Sequence, residues 1–195
     1  VNDAPGFTAG SDQTVLEDAG PQTVASWAGN VNAGPPNEAG QALTFEIIGN
    51  TNPDLFAAGP TLDAATGSLS YTPADNAHGS AVITVVLHDD GGTADGGDDT
   101  SSEHAFAITV TEVSDPPTVT ADDVTVTVDE GQLAQNTGAW EDLDSLPAAV
   151  TLTASVGAVT KNLNGTWSWS FQTADGPAES QTVTITAEDE TGLVG

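Results

Sequence analysis

The sequence predicts an all-β chain built from two tandem antiparallel sandwiches. Three observations carry that expectation. Apolar and polar residues alternate with a period of two along much of the chain, clusters of Gly, Pro, Asn and Asp separate the alternating runs, and the whole pattern occurs twice.

Taken in order, Leu43, Phe45 and Ile47 alternate with Thr44 and Glu46, and Phe106, Ile108 and Val110 alternate with Ala107, Thr109 and Thr111. In the second half, Val124, Val126 and Val128 alternate with Thr125 and Thr127. Trp167, Trp169 and Phe171 alternate with Ser168 and Ser170, and Val183, Ile185 and Ala187 with Thr184 and Thr186. Each run predicts a half-buried strand, because successive side chains on a strand point to opposite faces. Asn164-Gly165, set between strand-like segments, predicts a hairpin turn.

The duplication divides the chain. Thr14–Glu17 resembles Thr127–Glu130, Ala25–Trp27 resembles Gly138–Trp140, Gly67–Tyr71 resembles Gly165–Trp169, and Ile83–Asp89 resembles Val183–Asp189. The first copy carries extra residues around Asn30 to Gln41, which predicts a long loop. Two modules follow, 1–115 and 116–195, joined at Val113-Ser114-Asp115-Pro116-Pro117, where the prolines end a strand and stiffen the joint. After Asp89 the first copy continues through an acidic loop into a final strand, His104 to Glu112. After Asp189 six residues remain, so the second module is expected to lack its last strand, as in a truncated chain. Unless that strand is supplied in trans, an edge is left exposed.

Composition narrows the chemistry. The 195 residues include 29 Asp plus Glu against one Lys or Arg, for a formal charge of −28. Nucleic-acid binding and docking on an anionic membrane are excluded as expectations, since both need basic residues. With 37% hydrophobic residues the chain has material for a core and is not expected to be disordered. No apolar run approaches the roughly 20 residues of a membrane helix, and no signal peptide opens the chain. Cysteine is absent, so disulfides, thiolate metal sites and cysteine nucleophiles are absent too. There is no nucleophile elbow, phosphate loop or zinc signature, and no enzyme is expected. His78, His88 and His104 lack a motif and read as surface or strand-end residues. Trp167 and Trp169 share a face with Phe171, and Trp27 and Trp140 recur at matching positions, so all four read as core rather than as a sugar platform. What remains in excess is oxygen from carboxylates, hydroxyls and amides, the ligand set that calcium prefers.

Val1-Asn2-Asp3-Ala4-Pro5 resembles the junction between tandem cadherin-like and immunoglobulin-like repeats of giant bacterial surface or secreted (RTX-type) adhesins. Val113–Pro117 is its counterpart, with Ser for Asn and Pro for Ala. The stretches 67–92 and 165–192 resemble the central and later strands of such repeats. The resemblance implies seven-stranded Greek-key sandwiches strung end to end, with Ca2+ at the joints. It implies Glu17 as a first-strand ligand, Asp115 as the linker carboxylate, Asp142 and Asp144 as the D-x-D pair, and Asp189 as the later aspartate. Asp75 is the nearest match to the upstream loop, where the family's D-x-E is missing, so one or two ions are expected. Glu130 would serve a following joint.

At the start of the first module Gly29 and Val31 stand where Asp142 and Asp144 stand in the second. Asn2, Asp3, Asn30, Asp89 and Asp90 are left as a weaker site there. The loop from Asp89 through Asp95, Asp98 and Asp99 resembles glycine–aspartate calcium repeats without their nonapeptide period. It reads equally as a solvated loop. The competing reading of Asp142, Asp144 and Asp189 is that they are turn-forming aspartates. The expected function is a calcium-stiffened extracellular spacer or adhesion stalk whose partners are neighbouring repeats and a cell-surface or polysaccharide ligand. The alternative is a carbohydrate-binding or other ligand-binding accessory module. Strong acidity fits a saline setting, where screening relieves self-repulsion.

Overall fold

A computed structural model describes residues 1–176 and 180–195 and divides the chain into two compact units, Val1–Val113 and Ser114–Gly195. Residues 177–179, part of the stretch 165–192 quoted above, lie outside the described residues.

The first unit contains β1 (Gly6–Thr8), β2 (Gln13–Leu16), β3 (Gln22–Val24), β4 (Gly29–Asn32), β5 (Leu43–Asn50), β6 (Phe56–Leu62), β7 (Leu69–Pro73), β8 (Gly79–Asp89) and β9 (His104–Thr111). A four-stranded sheet runs in the order β2-β9-β8-β5, a three-stranded sheet in the order β3-β7-β6, and β1 pairs with β4. Period-two alternation turns one side of each sheet inward. Ala81, Ile83, Val85 and Leu87 of β8 and Phe106, Ile108 and Val110 of β9 are buried in one cluster with Phe56 of β6 and Leu69 and Tyr71 of β7. Trp27 closes that cluster, its ring 4.3 Å from Phe106 and its Nε1 donating to the Ser11 carbonyl at 2.9 Å. Leaving a side chain of this size outside the core would forgo about 1.5–3 kcal/mol of burial.

β2 lies parallel to β9, with Val15 opposite Val110, while the other sheet pairs are antiparallel. The segment read from sequence as a long loop, Asn30 to Gln41, includes most of β4 and a 3-10 turn at Pro36–Glu38. The four residues of β4 are too few to show a period-two signal.

The second unit contains β10 (Thr118–Ala121), β11 (Leu133–Glu141), β12 (Thr151–Ala154), β13 (Ala158–Lys161), β14 (Thr166–Gln172) and β15 (Ile185–Glu188). One sheet runs β10-β11-β14-β13, and β12 pairs with β15 across the core. This is the A-B-E-D over C-F arrangement of an immunoglobulin-like sandwich. Among the described residues no strand occupies the position that β9 holds in the first unit. The core is built from Trp140, Val150, Trp167, Trp169 and Ala187. Each indole N–H finds a backbone carbonyl: Trp140 that of Asn162, Trp167 that of Thr120, Trp169 that of Val156. Gly138 sits opposite Trp167, where an added Cβ would collide with the Thr120 carbonyl oxygen and the Trp167 ring, so glycine is required there.

The expected hairpin forms between β13 and β14, with Asn162 N–H donating to the Thr166 carbonyl at 2.9 Å. Its loop spans Asn162–Gly165, with Gly165 at φ +82°. Two further sequence expectations fail, one in part: Val183 stands outside β15, which starts at Ile185. Val124, Val126 and Val128 form no strand, and Val124 is 99% exposed. The matching segment of the first unit, β2, is held by β9. Without a ladder partner, alternation alone does not make a strand.

Candidate metal centre

The second unit gathers four predicted acidic residues at one end through its first two residues. Asp115 N–H donates to Asp144 Oδ2 at 2.5 Å, and Ser114 Oγ donates to Asp189 Oδ2 at 3.3 Å. Asp142 Oδ1 accepts from the N–H groups of Asp144 (3.0 Å) and Ser145 (2.6 Å), which folds the D-x-D into a tight aspartate turn after β11. Its second oxygen, Oδ2, is buried and makes no hydrogen bond among the described residues. Unsatisfied buried carboxylate oxygens are costly and call for an ion, a water or a local role.

Asp189 is buried at the turn after β15. Its Oδ1 accepts from Thr191 N–H, Leu193 N–H and the Thr191 hydroxyl, each at 2.8 Å. Burial works against ionisation here, but the Thr191 hydroxyl and the Leu193, Thr191 and Gly192 N–H groups outweigh it and hold the carboxyl below its usual value. Asp189 is thus a turn clamp as well as a candidate ligand. Lys161, the single Lys or Arg of the chain, does not neutralise this cluster. Its Nζ donates to the carbonyls of Pro147 and Val150 and lies 5.0 Å from the Trp140 ring centre. The donor set is chemically that of calcium: hard, anionic oxygens drawn from separate loops. Among the described residues, however, no three or more His, Asp or Glu side chains stand ready to hold a metal.

In the first unit Glu17 is 2% exposed. Its Oε1 accepts from Val113 N–H at 2.6 Å, and Glu17 N–H donates to the Thr111 carbonyl at 2.9 Å, so the residue fastens the end of β9 to the end of β2. Its Oε2 lies 3.6 Å from His78 Nδ1. Asp75 is exposed in the turn after β7, and Asp18 rather than Asp75 receives the N–H of Asn76.

The weaker predicted site is partly assembled. Asn2 Nδ2 donates to Asp89 Oδ1 and to the Asp98 carbonyl, both at 2.8 Å, and Asn2 Oδ1 accepts from Gln41 Nε2 at 2.7 Å. Asp90 Oδ1 accepts from Ala42 N–H, while Asp3 N–H donates to the buried Glu38. Asn30 instead bonds Thr8 between β1 and β4. Asp89 Oδ2 is buried without a hydrogen bond. The acidic loop is therefore organised by Asn2.

Ser114, Thr191, Glu38, Gln41 and Asp18 were not singled out in the sequence. Only Ser114 carried a signal, its place inside the linker motif beside Asp115. The histidines sit where expected: His104 opens β9 and packs 4.5 Å from Phe7, and His88 lies 2.9 Å from Glu46. All four tryptophans are buried.

Each unit is a β-sandwich of the general immunoglobulin-like and cadherin-like kind. No family model matches the chain, and no curated protein matches it. Among solved structures it is similar to the titin domains Z1Z2 in complex with telethonin, at 13% identity and TM-score 0.40, covering 100% of this chain and 95% of that one. It is also similar to human protocadherin-24 EC1-2, at 16% identity and TM-score 0.38, covering 99% and 89%. A third is the human desmocollin-1 ectodomain, at 15% identity and TM-score 0.36, covering 98% of this chain and 38% of that one.

Proposed function

We propose that the chain is a pair of spacer or adhesion modules of an extracellular protein, and that Ca2+ binds the Asp115, Asp142, Asp144 and Asp189 cluster of the second unit. The observation that supports this most is that the linker residues Ser114 and Asp115 are held by the carboxylates of Asp189 and Asp144, beside an Asp142 oxygen buried without a hydrogen bond, in a chain whose single lysine is engaged elsewhere. Like charges so placed repel one another, and a divalent cation relieves the repulsion while drawing the oxygens off their N–H partners. The ion supplies a rigid multidentate centre; the chain supplies the loops that bring the ligands to it.

The consequence is mechanical. Glu17 ties Val113 into the first unit, and the acidic cluster ties Ser114 and Asp115 into the second, so each unit grips its own side of the connection. Calcium strengthens the second grip. Millimolar extracellular calcium suits sites of modest affinity. Calorimetric titration of the chain with CaCl2 after EDTA treatment tests the reading. Saturable binding that disappears in the Asp142→Asn, Asp144→Asn double variant is expected, and absence of binding at millimolar calcium refutes it.

A further inference from the structure

Glu17 is the most deeply buried carboxylate among the described residues. Its two oxygens are used differently. Oε1 accepts from Val113 N–H at 2.6 Å, whereas Oε2 is enclosed and makes no hydrogen bond among the described residues. Facing Oε2 is His78 Nδ1, at 3.6 Å. That distance is too long for a hydrogen bond, and a buried carboxylate oxygen without one calls for a physical reason.

The separation matches that of two ligands on one metal ion. Zn–O and Zn–N bonds are each about 2.0–2.2 Å, so two ligands at the tetrahedral angle of about 109° stand about 3.4 Å apart. Both groups are also held by their backbones. Glu17 N–H donates to the Thr111 carbonyl, which fixes the end of β2 beside the end of β9. Asp18 Oδ1 accepts from Asn76 N–H at 3.1 Å, which draws the turn after β7 against the end of β2. His78 follows in that turn. Before it Ala77 packs against the core, and after it Gly79 opens β8 in register with Val110 of β9. The imidazole is half-exposed, so water and ions reach the site past its ring. Ligands fixed in this way lose little freedom on binding.

The resemblance drawn from the sequence puts calcium on Glu17, but calcium takes oxygen ligands, and the group facing the free oxygen is a nitrogen. A carboxylate paired with an imidazole suits a borderline divalent cation such as Zn2+. We propose that Glu17 Oε2 and His78 Nδ1 form a Zn2+-binding site in the first unit, with water in the remaining coordination positions. The ion clamps the end of β2 to the turn before β8, on the same glutamate that holds Val113, the last residue of that unit. The site shares no residue with the calcium cluster of the second unit and takes a different class of cation.

Titration of the EDTA-treated and dialysed chain with ZnCl2 tests this, in a background of millimolar CaCl2 that occupies oxygen-only sites. Calorimetry gives the affinity, and nitrogen-15 spectra of the histidine rings give the ligand. Zn2+ should move the Nδ1 resonance of His78 before those of His88 and His104. His78→Gln, on an exposed turn, is expected to weaken this binding by about tenfold or more, and so is Glu17→Gln, which keeps an oxygen for Val113 N–H. Absence of Zn2+ binding, equal affinity in either variant, or binding that leaves the His78 resonance in place overturns the proposal. Loss of Zn2+ binding in the Asp142→Asn, Asp144→Asn double variant also overturns it, by assigning the ion to the second unit.

Discussion

Replacing Asp142 by Asn separates the metal reading from the turn reading of the acidic cluster, because the two predict opposite outcomes without calcium. Asn keeps the Oδ1 acceptor that closes the turn onto Asp144 and Ser145. It removes the charge from the oxygen that is buried without a hydrogen bond. In EDTA, therefore, the variant is expected to melt at the same temperature as the parent or slightly above it. With calcium at a hundred times its dissociation constant, binding contributes about 2.7 kcal/mol. For a unit of this size each kcal/mol shifts the midpoint by about 4–8 °C, so the parent's second unit should gain about 10–20 °C. If loss of one carboxylate weakens binding about tenfold, or 1.4 kcal/mol, the variant should show half that gain. Differential scanning calorimetry with and without calcium is the assay. An identical calcium-dependent gain in both proteins would remove Asp142 from the ligand set. A variant already weakened in EDTA would show that the carboxylate serves the turn.

Other consequences follow from single contacts. Glu17→Ala strips the acceptor from Val113 N–H and should cost about 1–3 kcal/mol of the first unit's stability in urea; an unchanged midpoint would show that the bond is exchanged for water at no cost. Gly138→Ala should destabilise the second unit by about 1–3 kcal/mol, because the new methyl collides with the Thr120 carbonyl and the Trp167 ring; near-ultraviolet circular dichroism of the tryptophans reports the loss. Asp189 ionises below its usual value in the folded state, so its contribution is present above the unfolded value near 3.9 and is lost as pH falls through the folded one. Acid titrations in EDTA should accordingly show a shallower loss of stability below about pH 4 in Asp189→Asn than in the parent. Asn2→Ala removes three hydrogen bonds and should speed exchange across the Asp89–Asp99 loop, with β8 and β9 unchanged.

Much of this was legible in residue order because period-two alternation is a local property. The runs at Leu43–Ile47, Phe106–Val110 and Trp167–Phe171 became strands with the expected faces inward. The repeated Gly67 and Gly165 likewise both take positive φ and accept from the backbone N–H groups of Ala28 and Trp140. The valines at 124, 126 and 128 show where that reasoning stops: a strand needs a partner, and partners are set by what lies beside it. The candidate site divides in the same way. That the chain is rich in hard oxygen ligands and nearly devoid of cations follows from composition, since charge is additive over residues. Which oxygens meet was decided by the fold. Ser114 and Asp115 reach Asp189 and Asp144 only because the turns after β15 and β11 come to the same end of one sandwich. Alternation, composition and turn chemistry were therefore readable residue by residue, whereas contacts between distant segments existed only once the sheets had packed.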